Sequence, residues 1–132
     1  MFILSENEKP QFGAVGAITV DDQDNIVIAD RRIAVFCGKS GKLLRRFEGE
    51  PKAPAGSYGG LALDGKGNLL ATRMEKTRNC IQVFDYTSGE LKHSIDSSDA
   101  RLKRPCGLAT TDDFHVVVVD LGNDCIKKYR YY

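Results

Sequence analysis

Short runs of apolar residues recur along the chain, each bounded by glycine, aspartate, asparagine or serine. The stretch "YGGLALDGKGNLLAT" has two such runs on either side of a polar, glycine-containing turn, and closely similar phrases are "VGAITVDDQDNIVIAD" and "PCGLATTDDFHVVVVD". The three phrases follow one another at intervals of about 45 residues, a spacing typical of a chain that repeats one supersecondary unit. We therefore read the sequence as a repeat.

Each copy predicts the same order of strands when Gly16, Gly59 and Cys106 are aligned. The first strand reads "AITVD", "GLALD" or "GLATT", the second "NIVIAD", "NLLATR" or "HVVVVD", and the third "RIAVF", "CIQVF" or "CIKKY". A fourth, "KLLRRF" or "ELKHSI", follows in the first two copies. Runs rich in Val, Ile and Leu between turn residues predict strands, and no long stretch has helical spacing. The prediction is an all-β fold.

Four short antiparallel strands per repeat match the blade of a β-propeller, so we predict about three blades within one domain, 1–132. The repeats cover about 12–57, 58–104 and 105–132. Gly59 and Gly60 predict an inner strand whose backbone approaches its neighbour too closely for a side chain. The nearly continuous apolar second strands predict a middle strand that is covered on both faces by neighbouring sheets.

Composition supports a soluble, cytoplasmic protein. The chain has 132 residues, of which 42% are hydrophobic, which is enough for a packed core. No apolar run approaches the ~18 residues of a membrane span, and "MFILSENEKP" lacks the features of a signal peptide. Cys37, Cys80, Cys106 and Cys125 form no C-x-x-C pair, so we expect reduced thiols and no zinc site.

Catalytic and metal-binding patterns are not found in the sequence. His93 and His115 lie in no ligand motif, and no nucleophile elbow, P-loop or dinucleotide glycine motif occurs. The aspartates cluster in predicted turns, where Asp is favoured for its local hydrogen bonds, and they lack the longer alternation of a calcium loop. We expect no catalytic residue, no metal and no cofactor on this chain.

The repeat resembles the NHL repeat, whose pattern is P-x-G-(apolar)-x-(apolar)-D, a turn, (apolar)-x-(apolar)-A-D and then N-x-x-I-x-x-F. The resemblance covers nearly the whole chain after about Pro10. The closing "CIKKYRYY" resembles the C-terminal end of tripartite-motif NHL proteins, in which the propeller follows RING, B-box and coiled-coil segments. Departures are Cys80 and Cys125, where the family often has Arg, and Arg73, where the other copies have Asp.

The resemblance implies a six-bladed propeller, of which this chain encodes half. The last copy lacks a fourth strand, and residues 1–5, "MFILS", are an apolar segment that we expect to supply an outer strand. If that segment pairs with a neighbouring chain, two copies form a homodimer that closes one ring with two-fold symmetry.

The meander order sorts the charged turns onto two ends of the blades. The first end is predicted to be acidic and collects Asp21, Asp22, Asp24, Asp64, Asp85, Glu90, Asp112 and Asp113. The second end is predicted to be mildly basic, with acidic residues that partly offset the charge. Its candidate contact residues are Arg31, Arg32, Arg73, Arg78, Lys103 and Arg104.

The resemblance implies two functions for the propeller. The leading one is docking of protein partners or substrates on a propeller face, for a ubiquitin ligase whose RING lies elsewhere in the full protein. The alternative is binding of single-stranded or stem-loop RNA through the basic end, with phosphate contacts from Arg and Lys. Mixed charge, and the lack of an aromatic residue among the basic ones, weigh against RNA. A plain solvated loop face is the remaining interpretation.

Overall fold

Antiparallel β-strands account for nearly all regular structure in a computed structural model, which describes residues 15–96 and 101–132. The first sheet contains β1 (Ala17–Val20), β2 (Ile26–Ala29), β3 (Ile33–Phe36) and β4 (Leu43–Arg46). The second sheet contains β5 (Gly56–Leu63), β6 (Asn68–Glu75), β7 (Asn79–Asp85) and β8 (Leu91–Ile95). The third sheet contains β9 (Pro105–Thr110), β10 (His115–Asp120) and β11 (Cys125–Arg130), with a 3₁₀ turn at Leu121–Asn123.

The strands of each sheet pair in the order of the sequence, as the repeat predicts. Each sheet is an antiparallel meander in which consecutive strands are neighbours. The all-β prediction is confirmed, as is the four-strand order of the first two sheets. The third sheet has three strands within the described residues, which agrees with the absence of a predicted fourth strand from the last copy of the repeat. The expected outer strand at residues 1–5 lies outside the described residues.

The three sheets are stacked through their first strands. β1 lies beside β5, and β5 lies beside β9. A Cβ atom added at Gly59 would lie 2.5 Å from the carbonyl oxygen of Pro105, and one at Gly16 would lie 2.3 Å from that of Tyr58. No side chain fits at such distances, so the predicted close approach of inner strands is confirmed.

Two hydrophobic cores fill the spaces between consecutive sheets. The core between the first and second sheets contains Val27, Ala29, Ile33, Val35, Phe47, Tyr58, Leu61, Leu69, Ala71 and Phe84. The core between the second and third sheets contains Leu70, Ile81, Val83, Leu102, Val116, Val118 and Tyr131. Residues of β6 alternate between these two cores, so this middle strand is covered on both faces, as its continuous apolar sequence predicts.

The prediction of full coverage is wrong for the equivalent strand of the third sheet. In β10, Val116 and Val118 are buried against the second sheet, but Val119 on the other face is 42% exposed. Within the described residues, no fourth sheet lies against that face. In the same part of the chain, no helix is long and apolar enough to cross a membrane.

Candidate functional site

The antiparallel registers place the turns of each sheet at two opposite ends. The basic end is formed by the β2–β3 and β6–β7 turns, the loop 47–55 and the segment 101–104. The acidic end is formed by the β1–β2, β5–β6 and β9–β10 turns together with the β3–β4 and β7–β8 turns. Side chains at both ends connect neighbouring sheets, so each end is a continuous surface across the stack.

Lys103 and Arg104 are held by a buried carboxylate. Asp120, at the end of β10, is fully buried and accepts hydrogen bonds from the backbone N–H groups of Lys103 (2.9 Å) and Arg104 (3.1 Å). Lys127 Nζ lies 2.8 Å from the other carboxylate oxygen. Burial opposes the charged form of Asp120, but these hydrogen bonds outweigh it and hold the pKa well below its usual range. The side chains of Lys103 and Arg104 are exposed to solvent.

Arg73 is buried between the first and second sheets and is only 6% exposed. Its Nε donates to Glu75 Oε2 at 2.7 Å, and its Nη2 donates to the carbonyl oxygen of Pro54 at 3.0 Å. The guanidinium lies 5.0 Å from the ring centroid of Tyr58. The side chain of Glu75 is also buried, so this is an internal ion pair, and loss of Arg73 would leave Glu75 with only a longer contact to Arg78.

Arg78 connects the loop 47–55 to the second sheet. Its Nη2 donates to Glu50 Oε1 at 2.7 Å, while its Nε lies 3.4 Å from Glu75 and 3.8 Å from Asp96 without a hydrogen bond of good geometry. The hydrogen bond from Arg78 outweighs partial burial and lowers the pKa of Glu50, so the pair stays charged near neutral pH.

Two open pockets lie at the basic end. One, of about 310 Å³, lies between the first and second sheets and brings together Arg31, Arg32, Lys52 and Arg73, with Glu50 as the acidic residue at its wall. Arg31 and Arg32 are exposed in the β2–β3 turn, where Asp30 Oδ1 accepts the backbone N–H of Arg32 at 3.0 Å. We call this cavity the arginine pocket.

A second pocket, of about 640 Å³, lies between the second and third sheets. It is lined by Lys76, Thr77, Arg78, Asn79, Asp96, Arg101 and Leu102. The side-chain amide of Asn79 donates to the carbonyl oxygens of Leu102 (2.8 Å) and Lys103 (3.1 Å), which fixes the floor of this pocket to the next sheet.

The structure therefore divides the six candidate residues. Arg31, Arg32 and Arg73 share one pocket, Arg78 lines the other, and Lys103 and Arg104 line neither. The candidate set left out Lys52 and Arg101, which face the same pockets. Their position in the loops of the basic end was the available signal, but the sequence does not reveal which loop residues turn inward.

Neither of these two pockets has an exposed aromatic side chain in its wall. Within the described residues, the aromatic members of the pocket walls are Phe47 and Tyr58, and each is 6% exposed. Tyr58 is covered by Arg73, and its hydroxyl donates to Gln82 Oε1 at 2.9 Å. The basic end thus presents charge and hydrogen-bond donors without a surface for stacking bases.

At the acidic end, two tyrosines connect neighbouring sheets, a contact that the sequence interpretation missed. The hydroxyl of Tyr86 donates to Asp21 Oδ2 at 2.7 Å, and that of Tyr131 donates to Asp64 Oδ2 at 2.7 Å. Asp21 and Asp64 also accept the backbone N–H groups of their own turns, as predicted for turn aspartates. Burial opposes the charge on both carboxylates, but the hydrogen bonds prevail and lower their pKa values.

The histidines and cysteines form no metal centre in residues 15–96 and 101–132. There, no three residues of the His, Cys, Asp and Glu types converge as metal ligands would. His93 and His115 occupy strand positions in β8 and β10, as predicted. All four cysteines are free thiols in the structure.

No protein-family model and no curated protein matches the chain. The similarity to NHL repeats therefore depends on the residue pattern alone.

Proposed function

We propose that this chain is a non-catalytic recognition module built of NHL-type β-propeller blades and belonging to a cytoplasmic tripartite-motif-like ubiquitin ligase. The module docks protein partners or substrates on its basic end, and ubiquitin transfer is left to segments outside this chain. The propeller assignment is supported by sheets of consecutive strands that stack through glycine-bearing inner strands. Free thiols agree with a reducing compartment.

The arginine pocket is the observation that favours protein recognition. Arg31, Arg32, Lys52 and Arg73 surround about 310 Å³ of open space, with one carboxylate, Glu50, at the wall. Glu50 is already paired with Arg78. Because Arg73 is likewise paired with Glu75, the excess positive charge of the pocket comes from Arg31, Arg32 and Lys52. The two exposed arginines present planar donors that match carboxylates. An acidic segment of a protein partner fits this chemistry.

The experiment is capture of lysate proteins on the immobilised full chain after ribonuclease treatment. The test variant is Arg31→Glu with Arg32→Glu, because both side chains are exposed and the exchange should leave folding intact. The matched control is Asp112→Lys with Asp113→Lys at the acidic end, which changes as many charges. We expect a set of proteins, enriched in acidic segments, that the wild type and the control retain and the test variant loses. Equal retention by all three would contradict the proposal.

RNA recognition is the second candidate, and the exposed pair Lys103 and Arg104 favours it. Their backbone is fixed by Asp120, so two cations project from a rigid segment, as phosphate contacts require. The test is a titration with a degenerate single-stranded RNA pool at low and moderate salt. Saturable binding that weakens steeply with salt and is lost in Lys103→Glu with Arg104→Glu would place RNA first. Absence of binding at low salt would exclude it.

A further inference from the structure

The wall of the arginine pocket contains a buried amide with an unused donor. Gln82, in the middle of β7, is 1% exposed and lines the pocket. Its Oε1 accepts the hydroxyl hydrogen of Tyr58 at 2.9 Å, whereas its Nε2 forms no hydrogen bond with residues 15–96 or 101–132. A buried N–H group without an acceptor is costly, so this wall favours a ligand that brings an acceptor atom to Nε2.

Three cations at the same pocket also have no partner. Arg31 and Arg32 are exposed in the β2–β3 turn, and Lys52 is exposed in the loop 47–55. Among the residues that the structure describes, none of these three side chains forms an ion pair or a hydrogen bond. Asp30 lies beside them in sequence, but it binds the backbone N–H of Arg32 and is not part of the pocket wall. We call Arg31, Arg32 and Lys52 the rim cations.

The carboxylates close to this pocket already have partners. Glu50 Oε1 accepts hydrogen bonds from Arg78 Nη2 at 2.7 Å and from Ser94 Oγ at 3.1 Å. Glu75 Oε2 accepts from Arg73 Nε at 2.7 Å. These two acidic groups therefore balance Arg73 and Arg78, and they leave the rim cations uncompensated. The pocket thus presents unpaired donors and excess positive charge to a ligand.

Lys52 is held in place by the loop that contains it. Its φ of +57° lies in the left-handed region, which residues other than glycine rarely adopt. The loop is fixed on both sides of Lys52, because Glu50 binds Arg78 and the carbonyl oxygen of Pro54 accepts from Arg73 Nη2 at 3.0 Å. An uncommon backbone conformation that its surroundings enforce is frequent at binding sites. The cation is therefore positioned before any ligand arrives.

A phosphate monoester matches this set of donors better than a carboxylate does. At pH 7 a phosphorylated side chain carries a charge of about −1.5 to −2 and has three acceptor oxygens. The carboxylate of aspartate or glutamate has a single charge and two oxygens. Arginine also binds phosphate through two parallel hydrogen bonds, which adds geometric selectivity. Several cations and a neutral amide donor can all be satisfied by one phosphate group.

We propose that the arginine pocket binds a phosphorylated side chain of a protein partner. The rim cations contact the phosphate oxygens, and Gln82 Nε2 donates to the most deeply placed oxygen. This inference rests on the proposed protein recognition by the basic end and adds that phosphorylation of the partner controls it. A kinase that acts on the partner would then switch docking on, because the added charge creates the ligand.

The test is a fluorescence anisotropy titration of the full chain with three versions of one labelled, glutamate-rich peptide. The central residue of the peptide is serine, glutamate or phosphoserine, and the salt concentration is moderate in all three titrations. We expect the phosphoserine version to bind with a dissociation constant about tenfold or more below that of the glutamate version. The serine version should bind most weakly.

The first variant is Lys52→Asn, which removes one rim cation and keeps a residue type that tolerates the left-handed backbone. It should weaken binding of the phosphoserine peptide more than binding of the glutamate peptide, so the ratio of the two dissociation constants falls. The matched control is Lys39→Asn, the same exchange at an exposed position of the β3–β4 turn at the acidic end. This control should leave the ratio unchanged.

The second variant, Gln82→Glu, tests the buried donor. It keeps an oxygen for the hydroxyl of Tyr58 but replaces Nε2 by a second oxygen, so the preference for phosphoserine should be lost. Thermal melting of the free variant shows whether it folds. If Gln82→Glu does not fold, the comparison of Lys52→Asn with Lys39→Asn decides.

The outcomes separate failure of this inference from failure of the proposed function. If the glutamate and phosphoserine peptides bind equally well, or if Lys52→Asn and Lys39→Asn have the same effect on their ratio, phosphate recognition is overturned while protein recognition stands. If no version of the peptide binds, protein recognition by the basic end fails as well. Tighter binding of a degenerate single-stranded RNA pool than of the phosphoserine peptide would assign the pocket to nucleic acid and overturn the inference.

Discussion

Tyr131, which follows the last strand of the third sheet, donates its hydroxyl hydrogen to Asp64 Oδ2 in the second sheet at 2.7 Å. Tyr86 and Asp21 form the same contact one sheet earlier. Burial and the nearby carboxylate raise the pKa of each tyrosine, so both phenols stay protonated as donors. The contact fixes the acidic ends of neighbouring sheets, while the glycine-bearing strands fix their inner edges.

Removal of either tyrosine hydroxyl should destabilise the stack. Tyr86→Phe and Tyr131→Phe keep the ring but leave a partly buried carboxylate without one donor, which costs about 1.5–3 kcal/mol. Tyr132→Phe is the matched control because Tyr132 is 68% exposed. Chemical denaturation measures the free energies of unfolding. If all three variants unfold alike, the tyrosine contacts do not hold the sheets together.

The inner strands should not tolerate a methyl group where they meet. Gly59→Ala places a Cβ 2.5 Å from the backbone of Pro105, and relief of that overlap is expected to cost about 3 kcal/mol or more. Gly107→Ala is the control, since an added Cβ there meets nothing within 4 Å. Thermal melting compares the stability of the two variants. A melting temperature of Gly59→Ala equal to that of Gly107→Ala would contradict the close approach.

Asp120 should make stability dependent on acid pH. Its pKa is lower in the folded state than in the unfolded chain, so its stabilising effect is complete above the unfolded pKa and is lost as pH falls toward the folded pKa. Asp120→Asn removes this effect and should cost about 3 kcal/mol at pH 7. The difference from the wild type should shrink steadily below about pH 4. A difference that is constant from pH 7 to pH 2 would show that the charge on Asp120 is not responsible.

The buried arginine is expected to be structural, in contrast to its exposed neighbour. Arg73→Ala leaves the buried Glu75 with only its longer contact to Arg78, at 3.4 Å, and should cost about 3 kcal/mol. Arg31→Ala, in the same pocket, removes an exposed side chain and should change stability by no more than about 0.5 kcal/mol. Urea denaturation of both variants checks this. A small effect of Arg73→Ala would show that its ion pair is dispensable. Arg73 would then be available to bind a ligand.

The cysteines should react in an order set by exposure. Burial raises the pKa of Cys80 to about 11, and the residue is fully buried, so its thiolate is scarce and inaccessible at pH 8. Cys125 occupies the aligned position in the third sheet but is exposed. Iodoacetamide labelling followed by peptide mass spectrometry should modify Cys125 well before Cys80. The reverse order would indicate that the second sheet opens before it is labelled.

The sequence predicted the strands well because their apolar periods and turn residues are local signals. It also predicted the close approach at Gly59, since a glycine inside a strand often marks a place where another backbone comes near. The strand bounds were less accurate. β5 begins at Gly56 and β9 at Pro105, earlier than the first strands read from the alignment, because pairing with the next strand extends both past the repeated phrase.

The candidate site was only partly predictable. Charge in the loops indicated a basic end, but which cations are free depends on contacts between distant segments. Arg73 is paired with Glu75, which is 2 residues away in the sequence, whereas Arg78 is paired with Glu50, which is 28 residues away. The tyrosine–aspartate hydrogen bonds join residues that are 65 and 67 positions apart in the sequence, so no local sequence pattern predicts them.

The most direct test of recognition by the basic end is a nitrogen-15 NMR titration of the full chain with a glutamate-rich peptide and, separately, with a single-stranded RNA pool. We expect saturable shifts for the peptide that centre on Arg31, Arg32 and Lys52, with little change in the acidic turns, and no saturable shifts for RNA. Peptide shifts that never saturate or that are spread over both ends, or RNA shifts in the arginine pocket, would contradict protein recognition by this end.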